Sequence, residues 1–218
     1  MNNNITELVF ILDRSGSMAG LEGDTIGGFN SLVDRQKQQE GKCFVTTVLF
    51  DHETKVLHDR VALDTLAPLT ERDYTVRGST ALLDAVGDTI RHIAQIHKYV
   101  RPEDVPEHTL FVITTDGMEN ASHKYTAEDI KRRIEHEKKK YGWEFLFLGA
   151  NIDAVSTAKR YGIDPSRAVD YNADRLGTEI AFGAVSEAVA NVRANAPLCA
   201  SWSEKVRNDH RNRKQSRR

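Results

Sequence analysis

Three oxygen-bearing side chains follow the first apolar run of the chain at alternating positions. Residues 8–12, LVFIL, lead directly into Asp13, Ser15 and Ser17. Short polar side chains of this kind can cap a helix, attack a substrate or bind a metal ion. Their alternating spacing allows one turn to direct all three oxygens to a common point, as a hard cation such as Mg²⁺ requires.

Two further oxygen donors lie next to predicted structural elements. Thr80 belongs to the glycine-flanked loop VRGSTALLDA before a helical pattern, and Asp116 follows the apolar run TLFVITT. Gly117 lets the chain turn away after Asp116, because glycine tolerates positive φ. The carboxyl ends of parallel strands share one rim of a sheet, where ligands bind. We therefore predict that Asp13 and Asp116 lie together at such a rim, with Thr80 in a neighbouring loop.

The order of the apolar segments predicts an α/β fold. LVFIL, CFVTTVLF, TLFVITT and EFLFLGAN are predicted to be buried strands, because they are short and mainly apolar. The more charged KVLHDRVAL follows the second of them after a polar turn and is predicted to be an antiparallel edge strand. A further short strand is expected at RAVDY.

Segments with helical periodicity separate these strands. Apolar spacing predicts a first helix ending at Gly41, a second over residues 80–97, and a last long helix near the carboxyl terminus. Thr126 and Asp129 have the spacing of a capping box for another helix. Strands alternating with helices predict a three-layer α/β/α, Rossmann-like fold with a mostly parallel central sheet and one antiparallel edge strand. Residues 1–200 are expected to form one domain.

Charge is unevenly distributed along the chain. The whole sequence has a net charge of −2, but residues 203–218 contain seven Lys or Arg and two acids, a net charge of +5. We expect residues 201–218 to form a basic, flexible tail. Such a tail can contact an acidic partner. The acidic remainder would repel the phosphates of nucleic acid, which is therefore not expected as a partner.

The composition also bears on the cellular compartment. No stretch approaches the roughly 18 consecutive apolar residues of a membrane-spanning helix, and no positively charged segment precedes the first apolar run. Cys43 and Cys199 lack zinc-site spacing, although a single disulfide between them is left open. We expect a cytoplasmic protein with reduced thiols and no membrane association.

The five oxygen donors resemble a known metal site when they are taken together. Asp13, Ser15, Ser17, Thr80 and Asp116, in this order and context, resemble the metal-ion-dependent adhesion site of von Willebrand factor type A domains. The phrases FILDRSGSM, GSTALLDA and TDGMENAS are most similar to those of the small intracellular bacterial and phage members of that family.

This resemblance, over roughly residues 5–195, implies a noncatalytic protein-interaction module. It implies that the five residues bind a divalent cation, usually Mg²⁺, with Mn²⁺ and Ca²⁺ as alternatives. One coordination position would stay open for an Asp or Glu of a partner protein. The intracellular members suggest a partner such as an AAA+ ATPase or a kinase or phosphatase system.

The alternative function is that of a metal-dependent hydrolase acting on phosphoryl or acyl substrates. Ser15, Ser17 or a metal-bound water would then be the nucleophile. The sequence contains no Gly-x-Ser-x-Gly elbow and no Gly-x-x-x-x-Gly-Lys loop before a helix. Aspartate-dependent phosphatases need a second acid two residues after the first, where this chain has Ser15.

Other polar residues are expected near the same rim. Glu119, Asn120 and Ser122 follow Asp116 closely and either tune the site, contact a partner or form an ordinary turn and helix start. Asn151 and Asp153 come after another predicted strand, where they either shape specificity or cap the next helix. Asp84 lies near the start of a predicted helix, where an acid suits the helix dipole.

Overall fold

One sheet forms the centre of the described structure. The computed structural model describes residues 4–216. The strands are β1 (Ile5–Asp13), β2 (Lys42–Phe50), β3 (Thr54–Ala62), β4 (His108–Thr115), β5 (Glu144–Ala150) and β6 (Ala168–Tyr171). They are hydrogen-bonded in the order β3-β2-β1-β4-β5-β6. All neighbouring pairs are parallel except β2 and β3, so β3 is the predicted antiparallel edge strand.

Helices cover both faces of this sheet. They are α1 (Glu22–Lys37), α2 (Leu82–Tyr99), α3 (Ala127–Tyr141), α4 (Ala154–Arg160), α5 (Arg175–Arg193) and α6 (Glu204–Ser216). Alternate side chains of β1 enter two separate cores: Phe10 packs with α1 and α5, whereas Ile11 packs with α2 and α3. A strand buried on both faces needs apolar residues at every position, which explains LVFIL. The predicted three-layer α/β/α fold is confirmed.

The third helix begins as its sequence predicts. The Thr126 side chain accepts a hydrogen bond from the Asp129 backbone N–H, and the Asp129 carboxylate accepts one from the Thr126 backbone N–H. Hydrogen bonds from the Thr126 hydroxyl and the Arg132 side chain also lower the pKa of Asp129 to about 2. The capping box is therefore confirmed, and it fixes where the loop after β4 enters α3.

The end of the first helix differs from the prediction. Helix α1 stops at Lys37, and Gly41 instead forms a left-handed turn with φ of +91° before β2. The buried guanidinium of Arg193, at the end of α5, donates hydrogen bonds to backbone carbonyls of this segment. A distant side chain thus satisfies the carbonyls that a helix end leaves unpaired.

The segment beyond residue 200 is not the flexible tail that its charge suggests. A short 3₁₀ turn over Ala200–Ser203 leads into α6, which packs on β6 and α5. Trp202 and Val206 are buried in the core, and the Trp202 indole donates to the Ser166 carbonyl over 2.9 Å. Two apolar anchors one turn apart are enough to hold a helix whose other positions are mostly charged. The last two residues of the predicted tail lie outside the described residues.

Two further observations concern the cysteines and the helices. Cys43 is a buried free thiol and Cys199 an exposed one, so these two residues do not form the disulfide that the sequence left open. Burial raises the pKa of Cys43 to about 12 and keeps this thiol protonated. Between residues 4 and 216, no helix combines the length and the apolar character that crossing a membrane demands.

Replacing Trp202 with alanine tests whether α6 is docked in solution. We expect Trp202→Ala to lower the free energy of unfolding by about 3 kcal/mol, because it removes a buried indole and leaves a cavity. Arg211→Ala, at an exposed position of α6, should change it by less than about 0.5 kcal/mol. Chemical denaturation of both variants gives the comparison, and equal stabilities would show that this segment does not pack on the domain.

Candidate metal centre

The centre of the candidate site is the carboxylate of Asp13, the last residue of β1. This side chain is fully buried. Its Oδ1 atom accepts a hydrogen bond from the Ser15 backbone N–H at 2.7 Å. Its Oδ2 atom accepts from the Thr115 hydroxyl at 2.6 Å and from the Asp116 backbone N–H at 3.3 Å. The ends of β1 and β4 therefore meet at this carboxylate, as the rim prediction requires.

The two serines lie side by side in the loop after β1. The Ser15 and Ser17 hydroxyl oxygens are 3.1 Å apart. Gly16, between them, donates its backbone N–H to the Gly78 carbonyl at 3.0 Å. A methyl group on Gly16 would lie 3.3 Å from that same oxygen, so the close approach of these two loops favours glycine. The serine loop is in this way joined to the loop that carries Thr80.

Thr80 and the loop after Asp116 are also joined. The Thr80 backbone N–H donates to the Asn120 side-chain oxygen at 2.9 Å, and the Asn120 backbone N–H donates to the Thr80 carbonyl at 3.0 Å. A methyl group built on Gly117 would lie 3.1 Å from the Ser17 hydroxyl oxygen and 3.3 Å from the Thr80 hydroxyl oxygen. The hydroxyls of Ser17 and Thr80 therefore both face the backbone of Gly117.

Asp116 completes this group of oxygens. Its side chain is almost fully buried and accepts a hydrogen bond from the Asn151 amide, a residue held at φ of +54° after β5. The pKa of Asp116 is raised to about 6, mainly by burial and also by the nearby charge of Asp13, while the Asn151 hydrogen bond opposes both effects. The charged form of Asp116 thus has too little compensating positive charge around it.

The donor set fits a hard divalent cation. The structure brings two carboxylates and three hydroxyls together on adjoining loops. Oxygen ligands of these two kinds are those that Mg²⁺, Mn²⁺ and Ca²⁺ accept. Neither Asp13 nor Asp116 forms an ion pair with any Lys, Arg or His among the residues described. Buried carboxylates are ordinarily paired with a cationic side chain or a metal ion, so this pair suits a bound cation.

Comparisons with known proteins identify the fold. The sequence matches no protein-family model, and it matches no curated protein. The structure is similar to the von Willebrand factor domain of the type V pili tip protein Mfa5 from Porphyromonas gingivalis, with a TM-score of 0.63 and 13% sequence identity. That match covers 84% of this chain and 94% of the pili protein. The chain has the von Willebrand factor type A fold.

Two other solved structures with this von Willebrand factor type A fold are described as holding metals. One is proximal thread matrix protein 1 from the mussel byssus with a zinc-occupied MIDAS motif, at 15% identity, TM-score 0.59 and 85% coverage of this chain. The other is manganese-loaded TRAP protein from Plasmodium vivax, at 16% identity, TM-score 0.56 and 84% coverage. The present chain spans 46% of the mussel protein and 74% of the Plasmodium protein.

A second acidic group lies near the site in this von Willebrand factor type A fold. Ligand atoms of Asp51, His52 and Glu53 lie within 4.8 Å of one another. Two arginines already neutralise the acids: Arg14 Nε is 2.8 Å and Arg77 Nε 3.0 Å from Asp51 Oδ2. Arg77 also contacts Glu53 at 2.7 Å. Asp51 is therefore best explained as an anchor for the loops that carry Ser15 and Thr80.

Glu119 has a structural role that the sequence left open. Its Oε1 atom accepts from the backbone N–H groups of Ala121 and Ser122, at 2.9 and 2.7 Å. Its Oε2 atom accepts from the Leu83 N–H at 2.9 Å and from the Ser122 hydroxyl at 2.8 Å. One carboxylate thus ties the loop after Asp116 to the first turn of α2, which agrees with the turn and helix-start interpretation.

Asp84 contributes more than a favourable charge near a helix end. Its carboxylate accepts hydrogen bonds from the backbone N–H groups of His123 and Lys124 at 2.9 Å and of Tyr125 at 3.1 Å. Only a tertiary contact reveals this role, since the two segments are about forty positions apart. Asp153, by contrast, caps α4 by accepting from the Ser156 N–H at 2.8 Å.

The Glu119 contacts lead to a stability prediction. Glu119→Gln should lower the free energy of unfolding by about 2 kcal/mol, because an amide NH₂ group would face donors that now meet a carboxylate. The backbone amides of Ala121 and Ser122 should exchange faster with deuterium in the same variant. Glu71→Gln, at an exposed loop position, serves as the control. Unchanged stability and unchanged exchange in Glu119→Gln would show that this carboxylate does not hold the loop.

Proposed function

We propose that this chain is a metal-dependent protein-interaction module, with Asp13, Ser15, Ser17, Thr80 and Asp116 as the residues that hold a divalent cation. One observation carries the proposal. Two neighbouring carboxylates are buried without a cationic partner in the described structure, whereas Asp51, also buried and placed directly after the neighbouring strand β2, has two arginines.

The charge of the donor set explains why a partner would bind. Three of the five donors are neutral hydroxyls, so the chain supplies at most two negative charges. A bound Mg²⁺, or Mn²⁺ or Ca²⁺ in its place, supplies positive charge and a coordination position for an incoming oxygen ligand. An Asp or Glu of a partner protein provides such an oxygen together with a further negative charge. The zinc-occupied and manganese-loaded structures of the same fold support this class of ligand.

The contacts of the serines favour binding over hydrolysis. A nucleophilic serine needs a base within hydrogen-bonding distance. In the described part of the chain, the Ser15 hydroxyl is hydrogen-bonded to the Ser17 hydroxyl, and neither oxygen contacts a histidine. Two proteins of the same fold, a byssus thread matrix protein and a pili tip protein, also have names that indicate structural roles. We therefore propose a binding module and not a hydrolase.

Removal of one hydroxyl tests the metal site with little risk to the fold. Ser17 is exposed, and Ser17→Ala should weaken binding of Mn²⁺ or Mg²⁺ by about tenfold or more, because a direct oxygen donor is lost. Ser31→Ala, at an exposed position of α1, should bind the metal as the parent protein does. Isothermal titration calorimetry measures both. Equal affinities of the two variants would exclude Ser17 as a ligand.

Partner capture tests the interaction itself. The parent protein is immobilised in about 5 mM Mg²⁺, a concentration that saturates even a weak site. It should then retain a partner from its native cell extract, and a chelator should release that partner. Asp13→Asn should lose metal binding and capture together, whereas Asp34→Asn on the exposed side of α1 should retain both. Mass spectrometry then shows whether the retained protein is an AAA+ ATPase or belongs to a kinase or phosphatase system. Capture that survives chelator or Asp13→Asn would contradict the metal-bridge proposal.

A further inference from the structure

A second candidate site lies at the opposite rim of the sheet. A cavity of about 440 Å³ opens between α2 and α3, next to the segments that lead into β4 and β5. Its apolar wall includes Ile90 and Ala94 of α2, Val105 and Pro106 before β4, and Trp143 before β5. Since these segments precede their strands, the cavity lies at the amino ends of β4 and β5, away from Asp13. Its volume is within the range of small-molecule sites.

The lining of this cavity includes a carboxylate side chain with one unpaired oxygen. Glu137, in the last turns of α3, is only 7% exposed. Its Oε2 atom is buried and has no hydrogen-bond partner among residues 4–216. Burial raises the pKa of Glu137, an effect that the nearby charges of His136 and Lys140 oppose. An unsatisfied buried polar atom destabilises the folded state by about 1–3 kcal/mol. A hydrogen-bond donor supplied by a ligand would offset this penalty.

An imidazole also belongs to the lining of this cavity. The side chain of His97 is 10% exposed, and its Nε2 atom is also buried without a hydrogen bond in the described structure. This atom lies 3.5 Å from Glu7 Oε2, a distance that permits charge attraction without hydrogen-bond geometry. The ring packs edge-on against Trp143, with ring centres 5.4 Å apart. The lining therefore combines an aromatic wall with a carboxylate and an imidazole that each have one unsatisfied polar atom.

Cationic side chains dominate the charge of the lining. Arg91, Lys98 and Arg133 line the cavity, where Glu137 is the one carboxylate among the described lining residues. Within residues 4–216, the one acid paired with Arg91 is Asp88, at 3.5 Å, and the Arg133 guanidinium stacks over the Tyr125 ring. Three permanent cations against one acid favour a ligand with a negative charge and disfavour a simple amine.

We propose that this cavity binds a small aromatic carboxylic acid that also carries a hydroxyl or N–H donor. The aromatic ring would pack against Trp143 and the neighbouring apolar wall. The hydroxyl or N–H group would donate to the carboxylate of Glu137. The ligand carboxylate would lie among Arg91, Lys98 and Arg133. This site shares no residue with the proposed metal centre, and it does not depend on that proposal.

Three probes that differ in one group each test the proposed ligand chemistry. 4-Hydroxyphenylacetate has both the donor and the carboxylate, phenylacetate lacks the donor, and tyramine has an amine in place of the carboxylate. We expect 4-hydroxyphenylacetate to bind about tenfold tighter than either of the others, since one added hydrogen bond or charge contact changes the affinity by about that factor. Calorimetry gives the affinities, and NMR shifts of the Trp143 indole locate the site.

Two variants connect the affinities to the cavity. Glu137→Met removes the hydrogen-bond acceptor and keeps a side chain of similar length. It should reduce the affinity for 4-hydroxyphenylacetate to the affinity for phenylacetate, and it should leave the affinity for phenylacetate unchanged. Ala94→Leu should weaken both acids by filling the cavity. Glu135→Met, on the exposed side of α3, is the matched control and should change neither affinity.

The outcomes separate this site from the metal centre. Binding of 4-hydroxyphenylacetate should persist in chelator and in Ser17→Ala. The proposal is overturned if the three probes bind equally, or if Glu137→Met leaves the difference between the two acids intact. It is also overturned if NMR shifts fall outside the cavity or if chelator abolishes binding. Failure of metal binding at Asp13 would leave all of these results unchanged.

Discussion

The buried carboxylate of Asp13 constrains how the loops at the carboxyl rim are arranged. A charged group without contact with water must have hydrogen-bond donors around it, or the charge is too costly to bury. Here the donors come from Ser15 in its own loop and from Thr115 and Asp116 at the end of β4. Satisfying one side chain therefore fixes the relative position of two loops, and the hydroxyls of the candidate site follow from that position.

The acids around this rim fall into two groups with different environments. Asp51 faces arginines, and the carboxylates of Glu119 and Asp84 accept hydrogen bonds from several backbone N–H groups. These acids hold loops and helix ends in place. Asp13 and Asp116 have hydrogen-bond donors but no cationic side chain in the part of the chain that the structure describes. The first group supports the rim, and the second has the charge that a cation would balance.

Sequence patterns predict the local features well, because short-range periodicity and capping act within one element. The buried strand before Asp13, the antiparallel edge strand β3 and the capping box at Thr126 are examples. The end of α1, the docking of α6 and the Asp51 anchor depend on contacts between distant segments, such as Arg193 with the end of α1. That the five rim residues bind a metal ion remains a prediction, which their proximity in the structure supports.

The two edges of the sheet determine how copies of this protein can associate. Unpaired strand edges invite a strand from another chain, and this is a common route to aggregation. At one edge β6 has only four residues, and Arg207 of α6 donates a hydrogen bond to the Ala168 carbonyl. At the other edge β3 is charged, has an irregular register with β2, and contains Arg60 at φ of +52°. Sheet extension from molecule to molecule is therefore disfavoured at both edges, which leaves the loops and helices as the surfaces open to association.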